Sequence, residues 1–360
     1  MCAVVLVSAA CGGDNNQNTD GGSGNDASQS SDSPVKNDGT TGNDSSPPGD
    51  SGGCTAPQTD FPSTSTFYQD ISKASVDSAW STILGSAFAN GWGGPFQLDP
   101  SFVLNYADSC VAARSFTQPS NALPDCDNAP VPIPAGGKTE GENDYFCSSG
   151  GDCHLIIFAG TRLFEIYQGS ITGGQATGGT FTSTCEVVWD LKKDYWQAGS
   201  PFARGDGCNG ADAADVPIAP LLLRKAEIAA HQINHAMRYT IANPKIDNTY
   251  YVHPATHLGG SGPSGTTVPY GSRLRLKASY NISSFATPEA QAIAAALQKY
   301  GMFMDDGSGG SMFVSATTDI TDVIDTHALK ALLPSDFEMI DGGTRINFHQ
   351  QNCTRTPITQ

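Results

Sequence analysis

Hydrophobic residues in this chain gather in short runs separated by glycine, proline and asparagine, the punctuation of strands and turns rather than of long helices. The segments CHLIIF, RLFEIYQGSI and TFTSTCEVVWDL are apolar or β-branched and are divided by Gly turns, which predicts a meander of antiparallel strands. RLRLKASYNI and SMFVSATT continue the same signature. Helical spacing is confined to a few places. Trp80, Ile83, Leu84 and Phe88 predict a short amphipathic helix over 77–88. Thr287 and Pro288 open another as N-cap and first helical residue, with Ile293, Leu297 and Tyr300 on one face and Gly301 closing it. DTHALKALL, 325–333, predicts one more. LLLRKAEIAA is helix-like whereas INHAMRYTI alternates, so a switch from helix to strand is expected near Gln232. Between 90 and 150 the chain is rich in Gly, Pro and Asn and carries Cys110, Cys126 and Cys147. It reads as long, disulfide-pinned loops around short strands.

Composition sharpens the class. Forty glycines, 22 prolines and only 15% charged residues among 360 suit many strands and turns better than a helical bundle. The expected fold is mainly β: an antiparallel β-sandwich or jelly-roll-like single domain over 54–360, with a few short peripheral helices. Residues 12–53 hold only Ala27 and Val35 as core-forming residues, too little to offset chain entropy, and read as a disordered Gly/Ser/Asn/Asp tether. Ahead of it, MCAVVLVSAAC is a short apolar run ending in small residues before Cys11. It has the shape of a bacterial lipoprotein signal over 1–11, with Cys11 as lipid anchor, and is too short to span a bilayer as a helix. A net charge of -17 argues against nucleic acid or an anionic membrane as partner, because both need basic surface. Membrane association is therefore expected only through the anchor.

Setting aside Cys2 and Cys11, the remaining eight cysteines imply up to four disulfides in an oxidising compartment. Local spacing suggests Cys110 with Cys126, Cys147 with Cys153 and Cys185 with Cys208, leaving Cys54 and Cys353 to clasp the ends. No CxxC occurs, which disfavours a thiolate zinc site.

Two HxxxH pairs, HQINH and HPATH, raise the question of a metal. The first lacks the Glu that a zincin places beside its first His, and Pro254 breaks any helix joining His253 to His257. No metal and no cofactor is expected. In the strand reading of INHAMRYTI, His235 and Arg238 point to opposite faces. In SRLRLKA, Arg273, Arg275 and Lys277 share one face of a strand. They form a positive stripe that either pairs with the protein's own carboxylates or lines a glycan-binding cleft. Glycoside hydrolysis needs two carboxyls flanking the scissile bond. The predicted hairpin DCHLIIFAGTRLFE brings Asp152 and Glu165 into one neighbourhood, with His154 as proton carrier or orienter and Asp190 on the next strand.

The blocks PIPAGGKTEG, GDCHLIIF, ADAADVPIAPLLLR, HAMRYT, YVHPATH, PYGSRLRLKA and LQKYGMFMDDGSG together resemble a family of exported, largely uncharacterised proteins often joined to carbohydrate-binding modules. The resemblance covers about 68–341. Its matching polar positions include Glu140, Asp152, His154, Glu165, Asp190, Asp212, His235, Arg238, His257, Arg273, Arg275, Lys277 and Asp305, while Asp306 stands where Asn is more usual. It implies work on a glycan.

The expected function is an exported glycoside hydrolase acting on a polysaccharide or oligosaccharide. Its catalytic candidates are Asp152, Glu165, Asp190 and His154. Its substrate-binding candidates are Arg238, His257, Arg273, Arg275, Lys277, His235, Asp305 and Glu140. A polysaccharide lyase using the cationic stripe against a uronate, and a glycan-binding surface lipoprotein without catalysis, are the alternatives.

Overall fold

The computed structural model describes residues 53–196 and 204–359. The expected signal and anchor, and all of the expected tether but Gly53, lie outside these residues. The fold is mainly β, with more than one sheet. A six-stranded sheet contains β1 (Gln97–Phe102), β6 (Met237–Ala242), β7 (Arg273–Leu276), β8 (Met302–Ser308), β9 (Phe313–Thr317) and β10 (Phe337–Ile340) in the order β1-β9-β6-β8-β7-β10. A four-stranded sheet is built from β2 (Leu104–Ala107), β3 (Leu155–Ala159), β4 (Arg162–Tyr167) and β5 (Cys185–Asp190) in sequence order. The chain passes from one sheet to the other at Val103, between β1 and β2.

The predicted meander is β3-β4-β5, paired antiparallel throughout. A wholly antiparallel fold is not what forms: β1 with β9, β6 with β8, and β2 with β3 run parallel. Parallel neighbours need long crossovers. The chain supplies them between elements far apart in sequence, where hydrophobic runs carry no sign of partner or direction.

Every residue of Leu155–Ala159 is buried, because β3 is covered on both faces. Ile156, Phe158, Leu163, Val187 and Trp189 join Met237, Tyr239, Ile241, Met302 and Val314 of the larger sheet in one core. Leu155, Ile157, Phe164 and Ile166 pack the other way, against Phe116, Val131, Tyr145 and Phe181 from the loops.

The helix α1 (Ser78–Ala87) starts where Asp77 accepts the Trp80 N–H at 2.9 Å. After the short α2 (Lys225–Ala229), α3 (Pro288–Lys299) is capped by Thr287 on the Ala290 N–H. Gly301 ends α3 at φ +68°, where a Cβ would strike the Leu274 carbonyl. The helix expected over 325–333 is instead a chain of turns, with i to i+3 bonds from Asp325 O, His327 O and Leu329 O. Asp325 Oδ1 takes the His327 N–H at 2.8 Å, and this local bond competes with helix initiation.

Four disulfides pin the fold: Cys54–Cys110, Cys126–Cys185, Cys147–Cys153 and Cys208–Cys353. Only Cys147–Cys153 follows the expected pairing. An isolated bridge between Asp127 and Glu186 lays Cys126 beside Cys185, and a tertiary contact of that kind outranks spacing. Disulfides on this scale belong to an oxidising compartment. Among the described residues no helix is long and apolar enough to cross a membrane.

The cationic stripe has the expected parity but a different role. Leu274 and Leu276 face the core, while Arg273 and Arg275 are buried beneath the segment 66–74. Arg273 donates to the carbonyls of Tyr300, Thr66 and Gln69 at 2.8, 3.1 and 3.1 Å. Arg275 pairs with Glu338 at 2.6 Å and reaches the carbonyls of Ile71 and Ala74. Lys277 donates to Ser335 O at 2.7 Å. Arg273 and Arg275 tie the N-terminal segment to the sheet, and Lys277 fastens to the segment just before β10. Replacing Arg273 by Met removes the donor from three carbonyls, one of them in a buried contact and two in partly buried ones. It should lower stability by about 3 kcal/mol in urea unfolding while glycan binding by the folded fraction is unchanged; lost binding at full stability would return Arg273 to the substrate site.

Candidate functional site

The site grows from a defect in strand pairing. Arg238 on β6 lies opposite Phe303 on β8, and Tyr239 opposite Met304, but Thr240 pairs with Asp306. Asp305 is therefore the extra residue of a β-bulge. In a regular strand two consecutive side chains point to opposite faces; the bulge lets both Asp305 and Asp306 turn toward Arg238. Arg238 Nε donates to Asp305 Oδ2 at 3.2 Å, and Nη2 lies 3.0 Å from Asp212 Oδ2 and 3.8 Å from Asp306 Oδ2. Its Nη1 donates to Ser315 Oγ on β9 at 3.2 Å, and the guanidinium lies 5.0 Å from the centre of the Phe102 ring at the end of β1. Gly307, next to the bulge, has no room for a Cβ because the Asn243 amide presses on it.

Arg238 is 1% exposed, so its charge and those around it are withdrawn from water. One guanidinium cannot offset the buried carboxylates of Asp212 and Asp305 together with the partly exposed Asp306. Burial raises Asp305 to about 7 against the pull of Arg238. Burial and the Asp212 charge raise Asp306 to about 8. Asp212 is pushed well above the carboxylate range, by burial first. Asp305 Oδ1 has no N–H or O–H donor among the described residues, yet Asp305 and Asp212 hydrogen-bond each other. A proton shared between the two carboxyls satisfies both.

Beside this group, His154 Nδ1 meets Glu140 Oε2 at 2.6 Å and Nε2 meets the Ala211 carbonyl at 3.0 Å. Both ring nitrogens face acceptors, so both carry protons. Burial opposes that charge, but the Glu140 carboxylate outweighs it and holds His154 at about 9. His154 is thus a fixed cation that positions its neighbours. The expected role of proton carrier would require breaking one of these two bonds.

In front lies a cavity of about 400 Å³ whose lining includes Asp152, His154, Tyr167, Asp212, His257, Tyr270 and Asp306. Asp152 is solvent-exposed and accepts from the Tyr167 hydroxyl at 3.4 Å. His257 Nδ1 donates to the Ala213 carbonyl at 3.0 Å, and burial lowers its proton affinity, so Nε2 carries a lone pair.

Of the expected site residues, Asp152, His154 and His257 line the cavity, and Arg238, Asp305 and Glu140 stand directly behind it. The others lie elsewhere. Glu165 is fully buried, accepting from Trp189 Nε1 at 3.0 Å and Ala219 N at 2.8 Å, and burial raises it to about 7; it is a core carboxyl and not part of the cavity lining. Asp190 pairs with Arg162, at the opposite end of the β4–β5 ladder from Tyr167, some ~17 Å of strand away. His235 is a buried histidine in the bend before β6, held by Glu227 at 3.1 Å and Ala236 O at 2.8 Å, and its substrate role is withdrawn. The histidines of the two HxxxH pairs each bond a different partner: His231 to Glu289, His235 to Glu227, His253 to Asp206 and His257 to Ala213. Asp212, a matching position of the resemblance, and Asp306, where Asn is more usual, were given no site role, and Tyr167 and Tyr270 were not singled out. The Asp-Asp pair inside the apolar run MFMDDG was the signal for Asp306; the loop carrying Asp212 has no periodicity to read.

Folding raises the proton affinity of Glu165, Asp305 and Asp306, so between the unfolded value near 4 and about 8 the folded chain holds more protons than the unfolded one. Stability should therefore fall as pH rises through that window. His154 adds to the fall between its unfolded value and about 9, whereas His257 opposes it, as do Glu140 and Glu227 at the acid end, where folding lowers their proton affinity. Asp306→Asn should remove about one proton's share of the slope, ~1.4 kcal/mol per pH unit between pH ~5 and ~7, in urea unfolding followed across pH. An unchanged slope would show that Asp306 holds no proton in the folded state. Comparison with family models, with curated proteins and with solved structures gives no match to this chain, and its chemistry is read from its own residues.

Proposed function

We propose that the chain is an exported carbohydrate-active enzyme, a glycoside hydrolase acting in the cavity with Asp306 and Asp152 as its carboxyl pair. The observation that carries the reading is the meeting, in one cavity, of a carboxyl that holds its proton to about 8 and a second, solvent-exposed carboxylate whose charge helps raise it. Asp306 protonates the departing glycosidic oxygen. Asp152 supplies the negative charge that meets the oxocarbenium-like carbon, directly or through a water. Arg238, Asp212 and Asp305 hold Asp306 in place and set its proton affinity. Asp212 Oδ2 and Asp306 Oδ2 both approach Arg238 Nη2, at 3.0 and 3.8 Å, so one guanidinium fixes Asp306 at the cavity wall. The four disulfides support an exported setting.

The lyase alternative loses its basis. It relied on Arg273, Arg275 and Lys277 to neutralise a uronate, and all three bond their own chain. The carboxyls lining the cavity would repel an anionic sugar. Hydrolysis should be followed as reducing ends released from a panel of non-anionic polysaccharides. Asp306→Asn and Asp152→Asn should each lower kcat by about 10²–10⁴, Asp190→Asn should leave it unchanged, and activity should decline as pH rises through about 8 as Asp306 loses its proton. Glycans bound but never shortened across the panel would make the chain a glycan-binding protein without catalysis.

A further inference from the structure

We propose that the sugar unit held in the cavity carries a free, protonated amine, so that the glycan is a cationic amino-sugar polymer. This rests on the carbohydrate reading above and deepens it. The inventory of hydrogen-bonding groups around the cavity is unbalanced toward acceptors. Asp152 presents carboxylate oxygens, Asp306 presents a carboxyl with one O–H and an accepting oxygen, and His257 presents a lone pair at Nε2 because Nδ1–H is committed to Ala213. The N–H groups of His154 are taken by Glu140 and Ala211, and Arg238 is spent on Asp305, Asp212 and Ser315. Asn209 and Asn243 add neutral amides but no charge.

Tyr270 is the independent sign of a ligand. It is 1% exposed, it lines the cavity, and among the described residues nothing hydrogen-bonds its hydroxyl. The ring is otherwise enclosed, so the hydroxyl opens only onto the cavity and its hydrogen bonds are completed by what the cavity holds. Burial and the nearby Asp306, Asp212 and Asp305 keep it protonated, so its oxygen remains an acceptor.

An ammonium brings three donors and no acceptor. It suits this lining better than a hydroxyl, which brings two lone pairs, or an acetamide, which brings a carbonyl. Charge points the same way. With one proton shared by Asp212 and Asp305 and one on Asp306, His154 and Arg238 face three negative charges: Glu140, Asp152 and the Asp212–Asp305 pair. One negative charge is left for the ligand to meet, and Asp152 is the carboxylate exposed to it.

The test is calorimetric titration of the full chain at pH ~6.5 with glucosamine oligomers, their fully N-acetylated counterparts and gluco-oligosaccharides of equal length. The amine series should bind at least about ten-fold tighter, the preference should shrink with added salt, and Asp152→Asn should reduce it to within about three-fold. Tyr270→Phe should weaken amine binding by about three- to ten-fold with no loss of stability, since the hydroxyl it removes has no partner in the protein. Equal or tighter binding of the acetylated or neutral series overturns the proposal, as does absence of binding to all three. Binding is read without turnover, so the two readings separate. Hydrolysis of a neutral glycan with no amine preference removes the amine and leaves the hydrolase, whereas tight amine binding without cleavage does the reverse.

Discussion

Arg238 is the constraint around which the site is arranged. A guanidinium withdrawn from water must be met by carboxylates, because an unpaired charge in that position would cost several kcal/mol. The protein supplies three, from two strands' worth of defect and one loop: Asp305 and Asp306 from the bulge on β8, and Asp212 from the segment between β5 and β6. That is more negative charge than one cation can hold. The surplus is settled by protons, which is why these carboxyls titrate near or above neutrality. The same excess that costs stability as pH rises keeps Asp306 protonated to about 8.

The two sheets exist in the form that lets this happen. β1 delivers Phe102 over Arg238, then crosses at Val103 into β2, so the larger sheet, which carries the arginine, is joined to the smaller one, whose strands β3 and β4 carry Asp152, His154 and Tyr167 at one end. The disulfide Cys147–Cys153 closes the loop that holds Asp152, and Glu142 binds the same loop through the Ser148 and Ser149 N–H groups at 2.8 and 2.9 Å. His154 is held by Glu140 from a separate loop, and Glu140 in turn takes the Ser101 hydroxyl of β1 at 2.9 Å. Rigid strands and tethered loops hold the polar groups in register without a metal ligand set built from the histidines.

Residue by residue, part of this was legible beforehand. The alternation in HAMRYT placed Arg238 opposite the apolar face of Met237, Tyr239 and Ile241. Asp152, His154 and His257 were singled out from types and neighbourhoods that do converge. Asp306 was not, because strict two-residue periodicity places Asp305 and Asp306 on opposite faces, and a bulge is a property of the pair of strands rather than of either one. Glu165 had the right strand and the wrong surroundings: its face turns into the core, toward Trp189 and the Ala219 N–H. For Arg273 and Arg275 the shared face was correct, but the segment 66–74 covers it, and nothing in SRLRLKA announces that cover.

The amino-acid sequence by itself determined strands β3 to β7 and β9, the helix α1, the capped start of α3, and the nearest disulfide. Those features rest on the period of side-chain direction and on bonds between residues a few positions apart. Only the tertiary structure decided which strands run parallel, which distant cysteines pair, which cations are spent on the protein's own carbonyls, and which three aspartates share one arginine. Such choices are made between segments tens to hundreds of residues apart. The entropy of closing those loops changes slowly with their length, so spacing hardly discriminates among partners, and packing and charge compensation in the assembled core make the selection.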